Sequence, residues 1–267
     1  MKRLIATSIC AGLLVSTACS SSNATADQPP PDKTSKKAAD SAPTDPLYSL
    51  TLMRQGSVLL EQGQFEDALK RFQQADKIAP GNATTSNMIG LCQMKLGDYP
   101  GALASFSRAL ELVPLYTDAR NNRGAVYMAM GQLHLSEVDF VAVLGDSTYP
   151  RRKQVFYNLG LVYLQQGQLG AAEENFRRAI IPPNPVYEGY LRLSELAQRQ
   201  GELAWSESLL EEAMLNFPES TEVKLELGKV LVLMGRGDEA RPYLEQVIAD
   251  APDSDFALTA KGLLGMS

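Results

Sequence analysis

The sequence predicts an all-α solenoid of six stacked two-helix units closed by a C-terminal capping helix. Three observations carry that reading. Gly63, Gly97, Gly131, Gly167, Gly201 and Gly235 recur at spacings of 34, 34, 36, 34 and 34 residues, a period typical of stacked repeats. Other residue classes keep register with this ladder. Seven residues before each glycine stands a small residue (Gly56, Gly90, Gly124, Gly160, Ser194, Gly228), and nine after it a large apolar one (Phe72, Phe106, Phe140, Phe176, Leu210, Leu244). Finally, Pro80, Pro114, Pro150, Pro218 and Pro252 close most units, where proline stops one helix and starts a turn.

Each unit reads as two antiparallel helices, A and B. The ladder glycine ends helix A, because glycine adopts the left-handed C-cap conformation without steric cost. The small residue on helix A lets helix B approach. A second small position, five residues after the glycine (Ala68, Ala102, Ser136, Ala172, Ser206, Ala240), does the same from helix B. The large residue fills the space between them. The units run 49–82, 83–116, 117–150, 153–186, 187–220 and 221–254, with a two-residue insertion at Arg151 and Arg152. Residues 255–267, with Phe256, Ala257, Ala260, Leu263 and Leu264, form a short helix covering the apolar face of the last unit. The pattern resembles the tetratricopeptide repeat, which implies a right-handed superhelical solenoid.

The N-terminus is built differently. Lys2 and Arg3 precede an apolar run from Leu4 to Val15, too short for a spanning helix of about 20 residues, and residues 1–18 read as a secretory signal. Ser16-Thr17-Ala18-Cys19 resembles a bacterial lipobox, with Ser16 where leucine is usual; a simple signal peptidase site is the alternative. The resemblance implies lipidation (palmitate) at Cys19. Residues 19–48 are rich in Ser, Ala, Pro, Lys and Asp and read as a disordered tether. With about 5–6 Å times the square root of residue number, such a tether averages roughly 30 Å end to end. By resemblance to bacterial lipoproteins, Ser20 after the cysteine implies the outer membrane, most simply its periplasmic face.

Charge and motif content exclude several function classes. A formal charge of −6 argues against binding a phosphate backbone, so no nucleic-acid partner is expected. With Cys10 lost in the signal and Cys19 acylated, Cys92 is the remaining thiol and is expected to pack as a small buried residue. His134, the only histidine, follows a turn and is expected in solvent. No GxSxG elbow, phosphate loop, HExxH or paired CxxC occurs. Glu61, Glu195 and Glu226 lie on helix-A faces without a companion that would perturb them. Neither enzymatic activity nor a cofactor or metal is expected.

A partner-binding surface is expected instead. The resemblance to the tetratricopeptide repeat implies a concave face lined by helix A. Its residues are Leu50, Met53, Ser57 and Leu60; Met88, Leu91 and Met94; Asn121, Asn122, Ala125 and Met128; Tyr157, Asn158, Leu161 and Leu164; then Glu188, Arg192, Glu195, Gln198 and Arg199. Leucine and methionine on a face meeting water mark a partner site, and methionine suits a groove that adapts to an amphipathic helix. The alternative is that these side chains are covered internally by the curvature of the superhelix or by the tether folding back on them. Asn121, Asn122 and Asn158 either hydrogen-bond a partner's main chain or are ordinary repeat asparagines.

A more specific resemblance lies in Asp146-Ser147-Thr148-Tyr149-Pro150, Arg152, Val155-Phe156 and Asn158-Leu159-Gly160-Leu161-Val162 with Leu164-Gln165, joined by Asn121-Asn122 and Gly124. These stretches are similar to those of the type IV pilus biogenesis/stability lipoproteins. The resemblance implies an outer-membrane pilotin that binds an amphipathic helix of the pilus secretin and promotes its localisation and multimer assembly. An envelope scaffold organising periplasmic enzymes and a tight-adherence pilus assembly factor share the same anchor and fold.

Overall fold

In a computed structural model describing residues 46–266, thirteen α-helices and no strand occur among the described residues. The signal, Cys19 and the tether up to residue 45 lie outside them. Two compact units divide between Asp139 and Phe140.

The first unit contains α1 (Pro46–Glu61), α2 (Phe65–Ile78), α3 (Ala83–Lys95), α4 (Tyr99–Leu112), α5 (Thr117–Ala129) and the start of α6 (Leu133–Leu144). The second holds the rest of α6, α7 (Arg152–Gln165), α8 (Leu169–Ala179), α9 (Tyr187–Gln200), α10 (Leu203–Asn216), α11 (Thr221–Leu233), α12 (Gly237–Asp250) and α13 (Asp255–Leu263). Odd-numbered helices up to α11 are helices A and even-numbered ones helices B. Helix α1 begins before the predicted unit start, so residues 46–48 of the supposed tether are helical. Pro46 is its first residue, a position that suits proline because its missing N–H is unused there.

The ladder glycines are left-handed, with φ between 71° and 80°. At the first, the Gln64 N–H reaches the Leu59 carbonyl at 2.9 Å and the Gly63 N–H reaches Leu60 at 3.1 Å, the paired closure of a Schellman motif. Close approach is equally direct. A Cβ added at Gly56, Gly90, Gly160 or Gly228 would stand 2.8, 2.7, 2.6 or 2.5 Å from Phe72, Phe106, Phe176 or Leu244 respectively. The fifth unit replaces this glycine by Ser194, whose hydroxyl is 2.8 Å from that of Ser206, both buried. A hydrogen bond satisfies the two polar groups that the close contact buries.

In the first unit, Ala68, Phe72, Ile89 and Cys92 form one cluster, while Leu91, Met94, Ala102, Phe106 and Val126 form another. In the second, a continuous core runs from Tyr157 and Phe176 through Tyr190 and Leu210 to Leu244 and Ala260. Helix α13 packs on α11 and α12 through Ala257 and Ala260, started by Ser254 accepting from the Ala257 N–H at 3.2 Å. Phe256, expected on the covering face, is largely exposed.

Candidate protein-binding surface

The predicted groove residues divide by burial. In the first unit, Leu50 is 58% exposed, and Met53, Leu60 and Met88 are partly accessible. Leu91 and Met94 are buried at 4% and 6% against Phe106 and Val126, and Ala125 and Met128 are also buried. Asn122 is buried, and its Nδ2 donates to Asn87 Oδ1 at 3.1 Å. The bond joins α5 to α3, which pack directly on one another. Asn121 is half-buried, and its Oδ1 is screened from solvent without a hydrogen-bond partner.

In the second unit, Leu161 and Leu164 are partly accessible, while Tyr157 and Asn158 are buried. Asn158 Oδ1 accepts from Gln154 Nε2 at 3.4 Å. The Tyr157 ring centroid lies 5.7 Å from that of Phe176. Leu91, Met94, Asn122, Ala125, Met128, Tyr157 and Asn158 are therefore packed among helices, a correction to the expectation of an open lining. Within the first unit α3 and α5 lie side by side, and within the second α9 and α11 do. The accessible residues are Leu50, Met53, Leu60, Met88 and Asn121 in the first unit, and Leu161 and Leu164 in the second.

The charged stretch is a network. Arg192 Nη1 donates to Glu195 Oε2 at 2.9 Å, and Arg199 binds the other oxygen of the same carboxylate. Lys229 Nζ meets Glu226 Oε1 at 2.7 Å. Glu195 and Glu226 thus each have a cationic companion on their own helix. The Tyr187 hydroxyl donates to Glu222 Oε2 at 2.8 Å. Burial, and after it the Glu222 carboxylate, holds the Glu188 carboxyl above its ordinary value.

His134 is exposed, as expected. Cys92 is fully buried, and burial pushes its thiol up to about 12. No cluster of His, Cys, Asp or Glu able to hold a metal occurs among the described residues. None of the described helices is long and apolar enough to cross a membrane.

Sequence reasoning missed a second feature, in the second unit. A cavity of about 400 Å³ opens between the end of α6, α7 and α8. Arg152 Nη1 donates to the carbonyls of Leu144 and Asp146. The Phe156 ring has the Arg152 guanidinium 5.7 Å and the Arg178 guanidinium 5.5 Å from its centroid. The signal was present in the Arg151-Arg152-Lys153 run and the Arg177-Arg178 pair, from which the helical hairpin brings Arg152 and Arg178 to the same cavity.

Models of the tetratricopeptide repeat match residues 53–117, 87–142, 154–180 and 191–262, together well over half of the chain. Among curated relatives, the CTR9 homolog of Arabidopsis thaliana is 24% identical over 81% of this chain. The lipoprotein NlpI homolog of Haemophilus influenzae is 27% identical over 66% of it. The chain spans 24% and 56% of the lengths of those two proteins. Among solved structures, PilW, described as a widely conserved type IV pilus biogenesis factor, superimposes with a TM-score of 0.69 at 21% identity, covering 79% of this chain and 97% of PilW. PilF of Pseudomonas aeruginosa gives a TM-score of 0.68 at 19% identity, over 81% of this chain and 96% of PilF. These structural likenesses are likenesses of fold. With helices A and B, ladder glycines and matched repeat models in agreement, the chain belongs to the tetratricopeptide-repeat family.

Proposed function

We propose that this protein is a non-catalytic adaptor of type IV pilus biogenesis. It is an outer-membrane lipoprotein held through Cys19 and facing the periplasm, and it acts as a pilotin. In this reading the accessible helix-A residues receive an amphipathic helix of the pilus secretin, shield it from aggregation and promote secretin localisation and multimer assembly. Leu, Met and Asn side chains suit that task, since apolar anchors supply affinity and adaptable methionines tolerate the fit. The carrying observation is a likeness of fold along nearly the whole length of two type IV pilus proteins. The lipobox-like Ser16 to Cys19 and the stretch from Tyr149 to Gln165 point the same way.

The test is the level of heat-resistant secretin multimers in outer membranes of cells with and without the protein. Loss of multimers with monomer retained elsewhere is the expected result; unchanged multimers overturn the reading. An envelope scaffold is favoured instead by the similarity to a protein named as a lipoprotein. A scaffold leaves secretin multimers intact and retains several clients at once. A tight-adherence factor affects a different secretin.

A further inference from the structure

The cavity in the second unit has a chemistry of its own, and none of its lining residues is among the predicted groove residues. Its walls include Leu144, Leu159 and Tyr163, with Arg152, Phe156 and Arg178 around them. The stretch from Asp146 to Phe156 builds it. Asp146 Oδ1 accepts from the Thr148 N–H at 3.0 Å and from its hydroxyl at 2.7 Å, fixing the turn. Arg152, the first residue of α7, ties that helix to the end of α6 through two carbonyls.

Around this recess a chain of net charge −6 concentrates cations. Arg151, Arg152 and Lys153 stand at the start of α7, and Arg177 and Arg178 in the last turn of α8. Cations at a helix C-terminus are favourable, but three at a positive N-terminal end run against the helix dipole, a local conflict of the kind found where a surface serves a ligand. Arg178 pairs with Glu174 at 3.0 Å, and the two side chains are 51% and 57% exposed. Such an exposed pair contributes little, and an incoming carboxylate can replace Glu174.

We propose that this cavity docks an acidic segment of a protein partner. An aromatic or large aliphatic side chain of the partner enters between Leu144, Leu159 and Tyr163, and its flanking carboxylates meet Arg178 and Arg151. The recess favours a peptide over a bilayer surface: an anionic membrane needs only projecting cations, whereas here Arg152 is turned inward onto main-chain carbonyls, in a recess with Leu144 and Tyr163 in its walls. The proposal does not rest on the pilus reading.

The test uses the 15N-labelled protein and a short synthetic peptide with one phenylalanine flanked by Asp and Glu. Amide shifts are expected at the end of α6, the start of α7 and the last turn of α8. Replacing the peptide's acids by lysine, or its phenylalanine by alanine, is expected to abolish them. Arg178→Glu and Arg151→Glu, each at exposed or half-buried positions, should weaken binding by about two- to fivefold each with thermal stability retained. The proposal is overturned if no localised shifts appear, if the lysine peptide binds equally well, or if phosphatidylglycerol vesicles bind at these residues and the acidic peptide does not.

Discussion

Gly90→Ala adds one methyl group to a helix interior, a change that ordinarily stabilises by about 0.8–1 kcal/mol. Here it should do the opposite. The new Cβ would stand 2.7 Å from Phe106 Cε1 and 2.8 Å from Cδ1, against an ordinary carbon contact of about 3.5–4.0 Å. The ring must therefore retreat by roughly 1 Å. Phe106 is fully buried with Leu91, Met94, Ala102 and Val126 around it, so retreat displaces several side chains. Overpacking of this kind costs about 1–3 kcal/mol, leaving a net loss of up to about 2 kcal/mol after the helical gain. Gly170, in the first turn of α8, is the control, because nothing lies within 4 Å of its added Cβ. Gly170→Ala should be neutral or stabilise by up to about 1 kcal/mol. At about 2–4 °C per kcal/mol for a domain of this size, the two variants should melt several degrees apart on opposite sides of the parent. Phe106→Leu in the Gly90→Ala background should recover part of the loss, and the coupling can be read from a double-mutant cycle in urea. If Gly90→Ala melts at or above the parent temperature, close approach does not explain the small-residue ladder.

Three further outcomes follow from buried polar and titrating groups. Lys224 is 1% exposed, with Nζ 2.8 Å from Asp250 Oδ2. Asp250→Asn should cost about 2–3 kcal/mol by leaving the ammonium unpaired, discounted for the partly exposed aspartate, while Lys224→Met combined with Asp250→Asn should return most of it in urea denaturation. Cys92, raised to about 12 by burial, should resist alkylation at pH 8 in the native protein and react once unfolded, as read by peptide mapping; rapid native labelling would contradict the packing described. The folded state also holds the Glu188 proton more tightly than the unfolded chain, because burial and then Glu222 raise its value above 4.5. Its stabilising contribution is present below that value and lost as pH rises through the folded value. Glu188→Gln should therefore gain stability relative to the parent between pH 4 and pH 7 in thermal melts, and a constant difference would remove Glu188 as the cause.

Most helix boundaries were legible because one packing rule repeats. The predicted unit starts at 83, 117, 187 and 221 coincide with the first residues of α3, α5, α9 and α11, since glycine closure and small-to-large contacts are local to each hairpin. Pro46-Leu47-Tyr48 was misplaced because proline in a Ser/Pro-rich stretch reads as linker until the helix beyond it is seen. Burial of the helix-A face was less legible. Whether Met94 or Asn122 meets water depends on the neighbouring helix A, and the Asn122 to Asn87 bond shows that neighbour arriving from 35 residues away. A repeat template assigns the same position to the same face but does not say how tightly successive faces close.

Departures from the period carry information of a different kind. The connections closing most units are short, as at 79–82, 113–116 and 217–220, whereas those flanking the fourth unit run 145–151 and 180–186. The insertion that lengthens one glycine step to 36 supplies Arg151 and Arg152. Arg152 uses those added residues to hold the carbonyls of Leu144 and Asp146, setting α7 against the end of α6. The other long connection starts just after α8 ends at Ala179, and the Lys153 ammonium donates to the Pro183 carbonyl within it. Both irregular connections thus converge on the start of α7, where Phe156 lies between two guanidinium groups. The 36-residue step supplies the first of these connections, and the early end of α8 within a regular 34-residue step supplies the second, so the corner rests on two different departures from the regular hairpin.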